Sequence, residues 1–267
     1  MAQERILITG AGSGLGRALA RRYAARGAAV CCADIRLDRA QETVQLLGGE
    51  PHFAAAVDIA SDDSFAALRE AVQARWETPD VVVNNAGVSA GGGILEAPMR
   101  EWEWMLNLNL LGVVRGCRTF LPGMLAQGHG RIINIASFAG LAGAPNIMTY
   151  GVAKAGVVTL SEQLRAELTH KGIAVSVVCP SFFKTNLLEN WAEGGQRMKA
   201  FAQRLMDTAK ESADDIAAAI IAQSERGKFL VLPTRAERLR WRLKRFLPEV
   251  YFRQVLKMAR ERGKAGH

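Results

Sequence analysis

The sequence predicts one large α/β domain built on a doubly wound parallel sheet, and three observations lead to this prediction. The 267 residues are 49% hydrophobic and 22% charged, a balance that suits a single globular domain with a substantial core. Short apolar runs alternate with helix-favouring segments along residues 5–232, which is typical of parallel strands joined by crossover helices. A glycine-rich turn joins the first run to the first helix.

Seven short apolar runs are predicted to be the strands of this sheet. Continuous apolar runs of this length, bounded by glycine or polar residues, are typical of strands that are buried on both faces. The runs cover residues 5–9, 28–33, 53–57, 81–83, 131–136, 173–179 and 228–232.

Helix-favouring segments separate the runs and are predicted to cover both faces of the sheet. One follows the glycine-rich turn, a further one begins at Thr149, and the others lie near residues 37–47, 62–76, 99–125 and 212–222. Ser212 is a suitable N-cap for the last of these. Gly140, Gly143 and Pro145 break the pattern before Thr149, so a loop is expected between the fifth strand and its helix.

The turn after the first strand has glycines at a spacing that suits a bound phosphate. Gly10, Gly14 and Gly16 form a G-x-x-x-G-x-G pattern between a strand and a helix. Glycines let the backbone approach a pyrophosphate, and the amino end of the helix supplies N–H groups and positive dipole. The common G-x-G-x-x-G spacing does not fit, because Leu15 occupies its last position, and a plain tight turn is the alternative. Gly12 is interpreted as such a turn residue.

Asp34 ends the second predicted strand, 18 residues after Gly16. An acidic residue about 20 residues beyond the glycine turn accepts a hydrogen bond from a ribose 2′-hydroxyl and so selects NAD over NADP. The alternative role is to cap the following helix. Arg36 would suit a 2′-phosphate, whereas Ile35 and Ser13 are neutral, so the sequence favours NAD over NADP.

Polar residues also follow the third and fourth predicted strands. Asp58 comes directly after the third strand, and Asn84-Asn85-Ala86-Gly87 comes after the fourth. Ligands of doubly wound sheets bind at the carboxyl ends of the strands. A role in lining a cofactor is therefore favoured over ordinary turn chemistry.

Tyr150 and Lys154 lie four residues apart, on one face of the helix that begins near Thr149. A phenol ionises near pH 10, so it is a poor proton acceptor at neutral pH, but an adjacent ammonium lowers its pKa by roughly 1–3 units. The pair is therefore predicted to act as a general acid/base, with the Ser137 hydroxyl reaching the same substrate oxygen. Taken alone, the pair would also fit an interfacial tyrosine and a surface lysine.

Together, these motifs resemble the short-chain dehydrogenase/reductase family, and the likeness covers residues 4–232. They are Thr9-Gly10-x-x-x-Gly14-x-Gly16, Asn84-Asn85-Ala86-Gly87, Ser137 and Tyr150-x-x-x-Lys154, in the order and spacing of that family. The resemblance implies a Rossmann-type fold. It also implies reversible hydride transfer between a nicotinamide dinucleotide and an alcohol or carbonyl compound.

The resemblance implies roles for individual residues as well. Tyr150 matches the acid/base, Lys154 matches the residue that lowers its pKa and binds the nicotinamide ribose, and Ser137 matches the residue that positions the substrate oxygen. Asn109, in an N-x-x-G context, matches an asparagine that holds a water in the proton relay, whereas Asn107 does not match. The implied cofactor-binding residues are Gly10, Ser13, Gly14, Leu15, Gly16, Asp34, Asp58, Ile59, Asn85, Ala86, Gly87, Tyr150, Lys154, Pro180 and Thr185.

The segment after the sixth strand departs from the family pattern at one position. Ser181 follows Pro180 where the family usually has glycine, which puts the local backbone shape in question. Thr185 lies where the family contacts the nicotinamide carboxamide. Nearby apolar residues form either a hydrophobic substrate wall on a mobile lid or the packing face of a helix. They are Phe182, Phe183, Leu187, Leu188 and Trp191.

Residues 235–267 are predicted to form a basic, helical C-terminal extension of the dehydrogenase domain, which covers residues 1–234. The extension holds 11 of the 34 Lys and Arg residues but 3 of the 26 Asp and Glu residues, so it carries the whole net charge of +8. Pro248 divides it into two helices, and the first has an apolar stripe. The stripe is Leu239, Leu243, Phe246 and Leu247. Packing on the body or a partner subunit, and contact with an anionic membrane, are both favoured over binding to nucleic acid.

The remaining composition points to a protein of a reducing compartment. Cys31, Cys32, Cys117 and Cys179 fit neither a disulfide framework nor a metal cluster, so they are predicted to be buried apolar residues, with no metal site. The amino terminus has no signal-peptide pattern, and no apolar run is long enough to span a bilayer. A cytoplasmic location is therefore predicted.

The sequence thus predicts an NAD-dependent oxidoreductase that acts on a lipophilic alcohol or carbonyl compound. The family resemblance implies a homodimer or homotetramer built partly on the helix that carries Tyr150. The rival hypothesis is a dinucleotide-binding regulatory or scaffolding protein that acts through the basic tail without turnover. The intact set of Ser137, Tyr150, Lys154 and Asn109 favours the enzyme.

Overall fold

The computed structural model describes residues 3–184, Trp191 and residues 196–264. Its strands are β1 (Arg5–Thr9), β2 (Ala29–Asp34), β3 (Phe53–Ala56), β4 (Val81–Asn84), β5 (Gly130–Ile135), β6 (Ile173–Val178) and β7 (Leu230–Val231). They form one parallel sheet in the order β3-β2-β1-β4-β5-β6-β7. The predicted Rossmann-type sheet is confirmed.

Helices cover both faces of the sheet. They are α1 (Gly14–Ala24), α2 (Leu37–Leu46), α3 (Asp62–Gln73), α4 (Met99–Leu106), α5 (Gly112–Gln127), α6 (Ala139–Ala142), α7 (Met148–Leu168), α8 (Gln196–Asp207), α9 (Ala213–Glu225), α10 (Arg235–Phe246) and α11 (Pro248–Lys264). Ser212 caps α9 in a capping box, as predicted. A π-helix, Asn107–Leu111, joins α4 to α5, so the helical segment predicted over residues 99–125 changes its hydrogen-bonding pattern midway.

Both faces of the sheet are buried, which explains why the strands are continuous apolar runs. Ile6 and Ile8 of β1 point into a core cluster with residues of α1 and α9. Leu7, between them, points into a second cluster with residues of α3, α5 and α7. Cys31, Cys32, Cys117 and Cys179 are buried, as predicted.

The order of the strands places a crevice at the carboxyl end of β1. The chain passes from β1 to β2 on one side, whereas β4 pairs with the other side of β1. At such a switch point the loops after the two central strands diverge and leave a cleft where ligands bind. Thr9 ends β1 and Asn84 ends β4, so the glycine turn and the Asn84-Asn85-Ala86-Gly87 segment face each other across this crevice.

The tail helices α10 and α11 dock on the body, but not through the predicted apolar stripe. Trp241 packs against the core, Glu237 is buried, and Lys244 donates to the backbone carbonyl of Leu141. Leu239 and Phe246 of the stripe are exposed. The packing alternative for the extension thus applies to the face opposite the stripe, which buried hydrogen bonds and one tryptophan hold to the body. No helix in the described part of the chain has the length and hydropathy of a membrane span.

Candidate active site

The glycine turn between β1 and α1 has a backbone that side chains would not fit. Gly10 and Gly14 have φ angles of +68° and +49°, in the left-handed region that favours glycine. A Cβ on Gly10 would lie 2.9 Å from the Cα of Ala86 across the crevice, and one on Gly16 would collide with the carbonyl of Gly10. The Ser13 side chain makes no capping hydrogen bond to α1. The first N–H groups of α1 therefore stay available to an anion.

Asp34 lies beside the glycine turn and is held by backbone donors. Its Oδ2 accepts from the N–H of Gly12 at 2.9 Å, and its Oδ1 accepts from the N–H of Arg36 at 3.0 Å. A Cβ on Gly12 would lie 2.7 Å from that carboxylate, so Gly12 is more than the plain turn residue of the sequence interpretation. The position of Gly12 within the glycine run was the signal in the sequence that could have indicated this role. Arg36 forms an ion pair with Asp38 at 2.8 Å.

A hydrogen-bond network holds the two sides of the crevice together. The Thr9 hydroxyl oxygen accepts from the N–H groups of Asn85 and Ala86, both at 3.1 Å, and the Asn85 amide donates to the Thr9 carbonyl at 2.9 Å. Further along the edge, Asp58 accepts from the N–H of Ala60, and Ile59 is buried. The structure thus brings the predicted residues Gly10, Gly14, Gly16, Asn85, Ala86 and Gly87 to one crevice.

Lys154 lies in α7 with its ammonium group buried beneath the crevice. Its side chain is 4% exposed, and Nζ donates to the Ile135 carbonyl at the end of β5 at 2.9 Å. A Cβ on Gly87 would lie 3.5 Å from Nζ, in ordinary contact, but 2.6 Å from Oδ1 of Asn109, so the packing of Asn109 requires a glycine here. Burial lowers the pKa of Lys154 to about 8, because the charged form loses hydration. Lys154 is therefore not the surface charge of the alternative interpretation.

Tyr150 lies one turn before Lys154 and next to Ser137. Burial raises the pKa of the Tyr150 phenol above its ordinary value near 10, and the interaction with the Ser137 hydroxyl offsets only part of this rise. Lys154 Nζ is 5.9 Å from the centroid of the phenol ring and is bonded to a carbonyl instead. The expected lowering of the Tyr150 pKa by Lys154 stays a prediction.

Ser137 is held between the loops that follow β5 and β6. Its hydroxyl oxygen accepts from the N–H of Ala139 at 3.1 Å and donates to the Pro180 carbonyl at 3.5 Å. The N–H of Phe138 donates to the same carbonyl at 2.8 Å. Pro180, a predicted cofactor-binding residue, thus also fixes the position of Ser137. Ser181 has no positive φ angle, so the loop does not need the glycine that is usual in the family.

Asn109 is fully buried in the π-helix and supports the loop after β4. Its Oδ1 accepts from the N–H of Val88 at 2.9 Å, and its Nδ2 donates to the Val88 carbonyl at 2.8 Å. The side chain of Met105 also contacts Nδ2. This amide therefore fixes the segment that continues from Gly87. Its implied role in holding a water stays a prediction.

The apolar residues after β6 separate into different environments. Phe183 is buried in the core cluster with α1 and α9, so for this residue the packing alternative applies. Phe182 is exposed, whereas Trp191 packs against Ala202 and Met206 of α8. Trp191 and Met198 also lie close to Gly91 in the loop after β4. Thr185, Leu187 and Leu188 lie outside the described residues.

Comparison with known proteins gives a consistent result for most of the chain. Residues 4–196 match the family model described as short chain dehydrogenase. A putative ketoacyl reductase of granaticin polyketide synthesis from Streptomyces violaceoruber is 39% identical over 191 residues, which are 70% of each chain. A D-threitol dehydrogenase from Mycolicibacterium smegmatis is 34% identical over 218 residues, 80% of this chain and 83% of that protein.

Longer proteins and solved structures are similar as well. The probable oxidoreductase EphD of Mycobacterium tuberculosis is 34% identical over 186 residues, so this chain spans about a third of that protein, with 31% of it covered. A short-chain dehydrogenase/reductase from Burkholderia phymatum, solved with NAD, has a TM-score of 0.87 and 30% identity. That similarity covers 93% of this chain and 95% of the other.

Proposed function

Because the chain belongs to the short-chain dehydrogenase/reductase family, we propose that it is an NAD-dependent oxidoreductase that interconverts a lipophilic alcohol and its carbonyl compound, with Tyr150 as general acid/base. One observation carries the proposal. The Ser137 hydroxyl, the Tyr150 phenol and the buried Lys154 ammonium lie together beside the crevice that the glycine turn lines. A protein that only bound a dinucleotide would not need to bury a lysine beside a tyrosine. This observation and the family favour the enzyme over the scaffolding hypothesis.

The crevice fits a nicotinamide dinucleotide. Gly10 and Gly14 have positive φ angles, and added Cβ atoms on Gly12 and Gly16 would collide with Asp34 and with the Gly10 carbonyl, so the turn keeps its shape only with glycines. The amino end of α1 would hold the pyrophosphate, and Asp34 would bind the adenosine ribose. When bound, the dinucleotide supplies or accepts the hydride.

The residues of this chain move and position the proton. In carbonyl reduction, the protonated Tyr150 hydroxyl donates to the substrate oxygen, and in alcohol oxidation the phenolate takes the proton back. During the reaction the Ser137 hydroxyl turns its proton from the Pro180 carbonyl to the same substrate oxygen and holds that oxygen in line with the phenol. Lys154 places a positive charge beneath this pair and favours the phenolate after the proton has left.

A panel of candidate substrates, assayed with each cofactor, can test the proposed substrate class directly. Ketoacyl reductases among the relatives, and Trp191 and Met198 beside Gly91, support a lipophilic substrate. We expect oxidation of NADH by apolar ketones or β-keto thioesters, measured at 340 nm alongside parallel assays with NADPH and with alcohols plus NAD or NADP. Absence of turnover across the panel, with NADH bound, would support the scaffolding hypothesis instead.

Replacing Asp34 is expected to change which dinucleotide binds. Asp34→Ser removes the acceptor for the ribose hydroxyl and the negative charge that repels a 2′-phosphate. We expect the Kd for NADH to rise about tenfold and the Kd for NADPH to fall, since one hydrogen bond to a charged group is worth about 1.5–3 kcal/mol. Fluorescence titration of both cofactors measures the effect.

The control for this change is Asp63→Ser, which alters an exposed acid in the first turn of α3. It should leave both dissociation constants unchanged. Asp34 also accepts a hydrogen bond from the N–H of Gly12. If the substitution only destabilised the glycine turn, the binding of NADH and of NADPH would weaken together. That outcome would contradict a role in selecting NAD.

We also propose a homodimer or homotetramer that uses α7. Val152 is exposed on this helix, and Leu160 and Leu164 are partly exposed. Sedimentation velocity of the wild type and of Val152→Asp would test the interface, because a charge on a buried face shifts the protein toward monomer.

The C-terminal extension, residues 235–267, offers a second surface, and we propose that it contacts anionic membranes. On α10 the face opposite Glu237 and Trp241 alternates basic and apolar exposed residues. These are Arg235, Leu239, Arg242 and Phe246. Phe246 is 76% exposed and Phe252 of α11 is 52% exposed, beside a net charge of +8 that is confined to this extension. Exposed aromatic residues within a basic helix are typical of interfacial binding.

Two substitutions on this outer face test the membrane proposal. Phe246→Ser with Phe252→Ser keeps every charge but removes two apolar groups, each worth about 1.5–3 kcal/mol when fully buried. We expect wild-type protein to float with phosphatidylcholine vesicles that contain phosphatidylglycerol, and the variant to bind at least about tenfold less. Leu95→Ser, at an exposed leucine outside the tail, is the matched control. Equal flotation of the variant and the wild type would refute the proposal.

A further inference from the structure

Glu237 is a buried acid of the basic tail that lies beside the active-site loops. Its side chain is 1% exposed. One carboxylate oxygen accepts from the N–H of Thr234 at 2.8 Å, and the Thr234 hydroxyl accepts from the N–H of Glu237, which completes a capping box at the start of α10. A capping box needs only one carboxylate oxygen. The other oxygen accepts from the N–H of Ser181, in the loop after β6, at 2.5 Å.

The Glu237 carboxylate and the Ser137 hydroxyl form hydrogen bonds to opposite ends of the same peptide group. The N–H of Ser181 and the carbonyl of Pro180 belong to the same planar unit. That N–H donates to Glu237, while the carbonyl accepts from the Ser137 hydroxyl and from the N–H of Phe138. A carboxylate on the N–H side polarises the unit and strengthens the bonds to its carbonyl. A single planar peptide group therefore connects the Glu237 carboxylate to Ser137.

The tail also holds the segment between Ser137 and Tyr150. Lys244 of α10 donates to the carbonyl of Leu141, and the Tyr251 hydroxyl of α11 donates to the carbonyl of Ala142 at 3.1 Å. Both carbonyls belong to α6, the single helical turn that follows Ser137. The tail therefore bonds both loops that meet at Ser137.

We propose that Glu237 is a positioning residue of the active site: through the peptide between Pro180 and Ser181, it fixes the position of Ser137. This inference rests on the proposed function for its consequence in turnover, but the contact itself does not. The serine in place of the usual family glycine fits the arrangement, since the loop needs no glycine conformation and its N–H is held by a charged acceptor. The C-terminal extension then belongs to the catalytic machinery and is not a mere appendage.

Glu237→Gln is the direct test, with Thr234→Ala and Glu249→Gln as matched controls. Glutamine keeps the shape but offers one acceptor, so either Thr234 or Ser181 loses its partner. Thr234→Ala removes the other half of the capping box and leaves the carboxylate facing Ser181. Glu249→Gln neutralises an exposed acid in the first turn of α11. The three variants thus separate the contact with the loop from helix capping and from net charge.

The first readout is amide hydrogen exchange of Ser181 and Phe138, followed by NMR on the full chain, and it does not depend on turnover. We expect exchange at both amides to rise at least about tenfold in Glu237→Gln and by less than about threefold in the controls. Unchanged exchange at Phe138 would overturn the proposal, because Ser137 would then not be held through that peptide.

The second readout is the separation of kcat from cofactor binding with the best substrate of the panel. We expect kcat to fall about 5–20-fold in Glu237→Gln, the Kd for NADH to stay within about twofold, and the controls to stay near wild type. An equal fall in Thr234→Ala would show a capping role and overturn the positioning role. An unchanged kcat despite faster exchange would overturn it as well. If no substrate is turned over, the proposed function is refuted. The exchange result still shows whether Glu237 holds Ser137 through the peptide between Pro180 and Ser181.

Discussion

Tyr150→Phe is expected to lower turnover by about 10²–10⁴-fold, the range that one positioned acid or base contributes. The substitution removes the hydroxyl that, in the proposed mechanism, donates to the substrate oxygen. It keeps the ring that packs with Ala90, Met105 and Ala153. We therefore expect the free energy of unfolding to change by less than about 1 kcal/mol and the Kd for NADH to stay within about threefold. Steady-state rates and fluorescence titration measure the two quantities.

Tyr23→Phe is the control for this experiment, because Tyr23 is a buried tyrosine of α1. It should leave turnover within about twofold. Near-normal turnover of Tyr150→Phe would remove the tyrosine mechanism. A loss of turnover together with a loss of NADH binding would instead point to a damaged fold.

Lys154→Met is expected to lower turnover by about 10²–10³-fold and, at the same time, to stabilise the fold at pH 7. Burial of the ammonium depresses the pKa of Lys154 from 10.5 to about 8, which is a cost to the folded state of the order of 3 kcal/mol. Methionine fits the same space without a charge but leaves the Ile135 carbonyl without this donor, at a cost of about 1–3 kcal/mol. We expect a net gain of about 1 kcal/mol.

The pH dependence separates this explanation from a simple packing effect. Because the folded pKa lies below the unfolded value, the unfolded wild type binds more protons between pH 8 and 10.5, and its stability rises with pH over that window. Below about pH 8 the full cost of the buried charge is present. The advantage of Lys154→Met should therefore be largest at pH 7 and disappear near pH 10. Urea unfolding at both pH values tests it, with the exposed Lys228→Met as control.

The strands were predictable because their buried faces leave a simple pattern. The run over residues 131–136 lies within one residue of β5 at each end, and the predicted Arg5–Thr9 strand is β1 itself. The glycine turn could be placed as well, since Gly10 and Gly14 adopt conformations that few other residues adopt. These features depend on local backbone preference and on the period of burial, which the sequence contains directly.

Other features depend on contacts between residues that are distant in the sequence. Local sequence patterns do not predict such contacts. The pKa of Tyr150 is raised by burial that arises only when α7 and the loops after β5 and β6 pack together. The apolar stripe of α10 did not indicate which face would dock, and Glu237 and Trp241 hold the face opposite the stripe to the body. The π-helix at Asn109 likewise depends on its amide meeting Val88, 21 residues earlier in the chain.

The placement of α10 also decides how the extension can be studied. A deletion after Pro233 would take away the exposed Phe246 and Phe252 together with the groups that meet Ser181, Leu141 and Ala142. Under the two proposals above, such a truncated chain would lose vesicle binding and turnover for unrelated reasons. Its phenotype would then be mistaken for membrane-dependent activity. Substitutions confined to one face of α10 distinguish membrane binding by the outer face from support of the catalytic loops by the inner face.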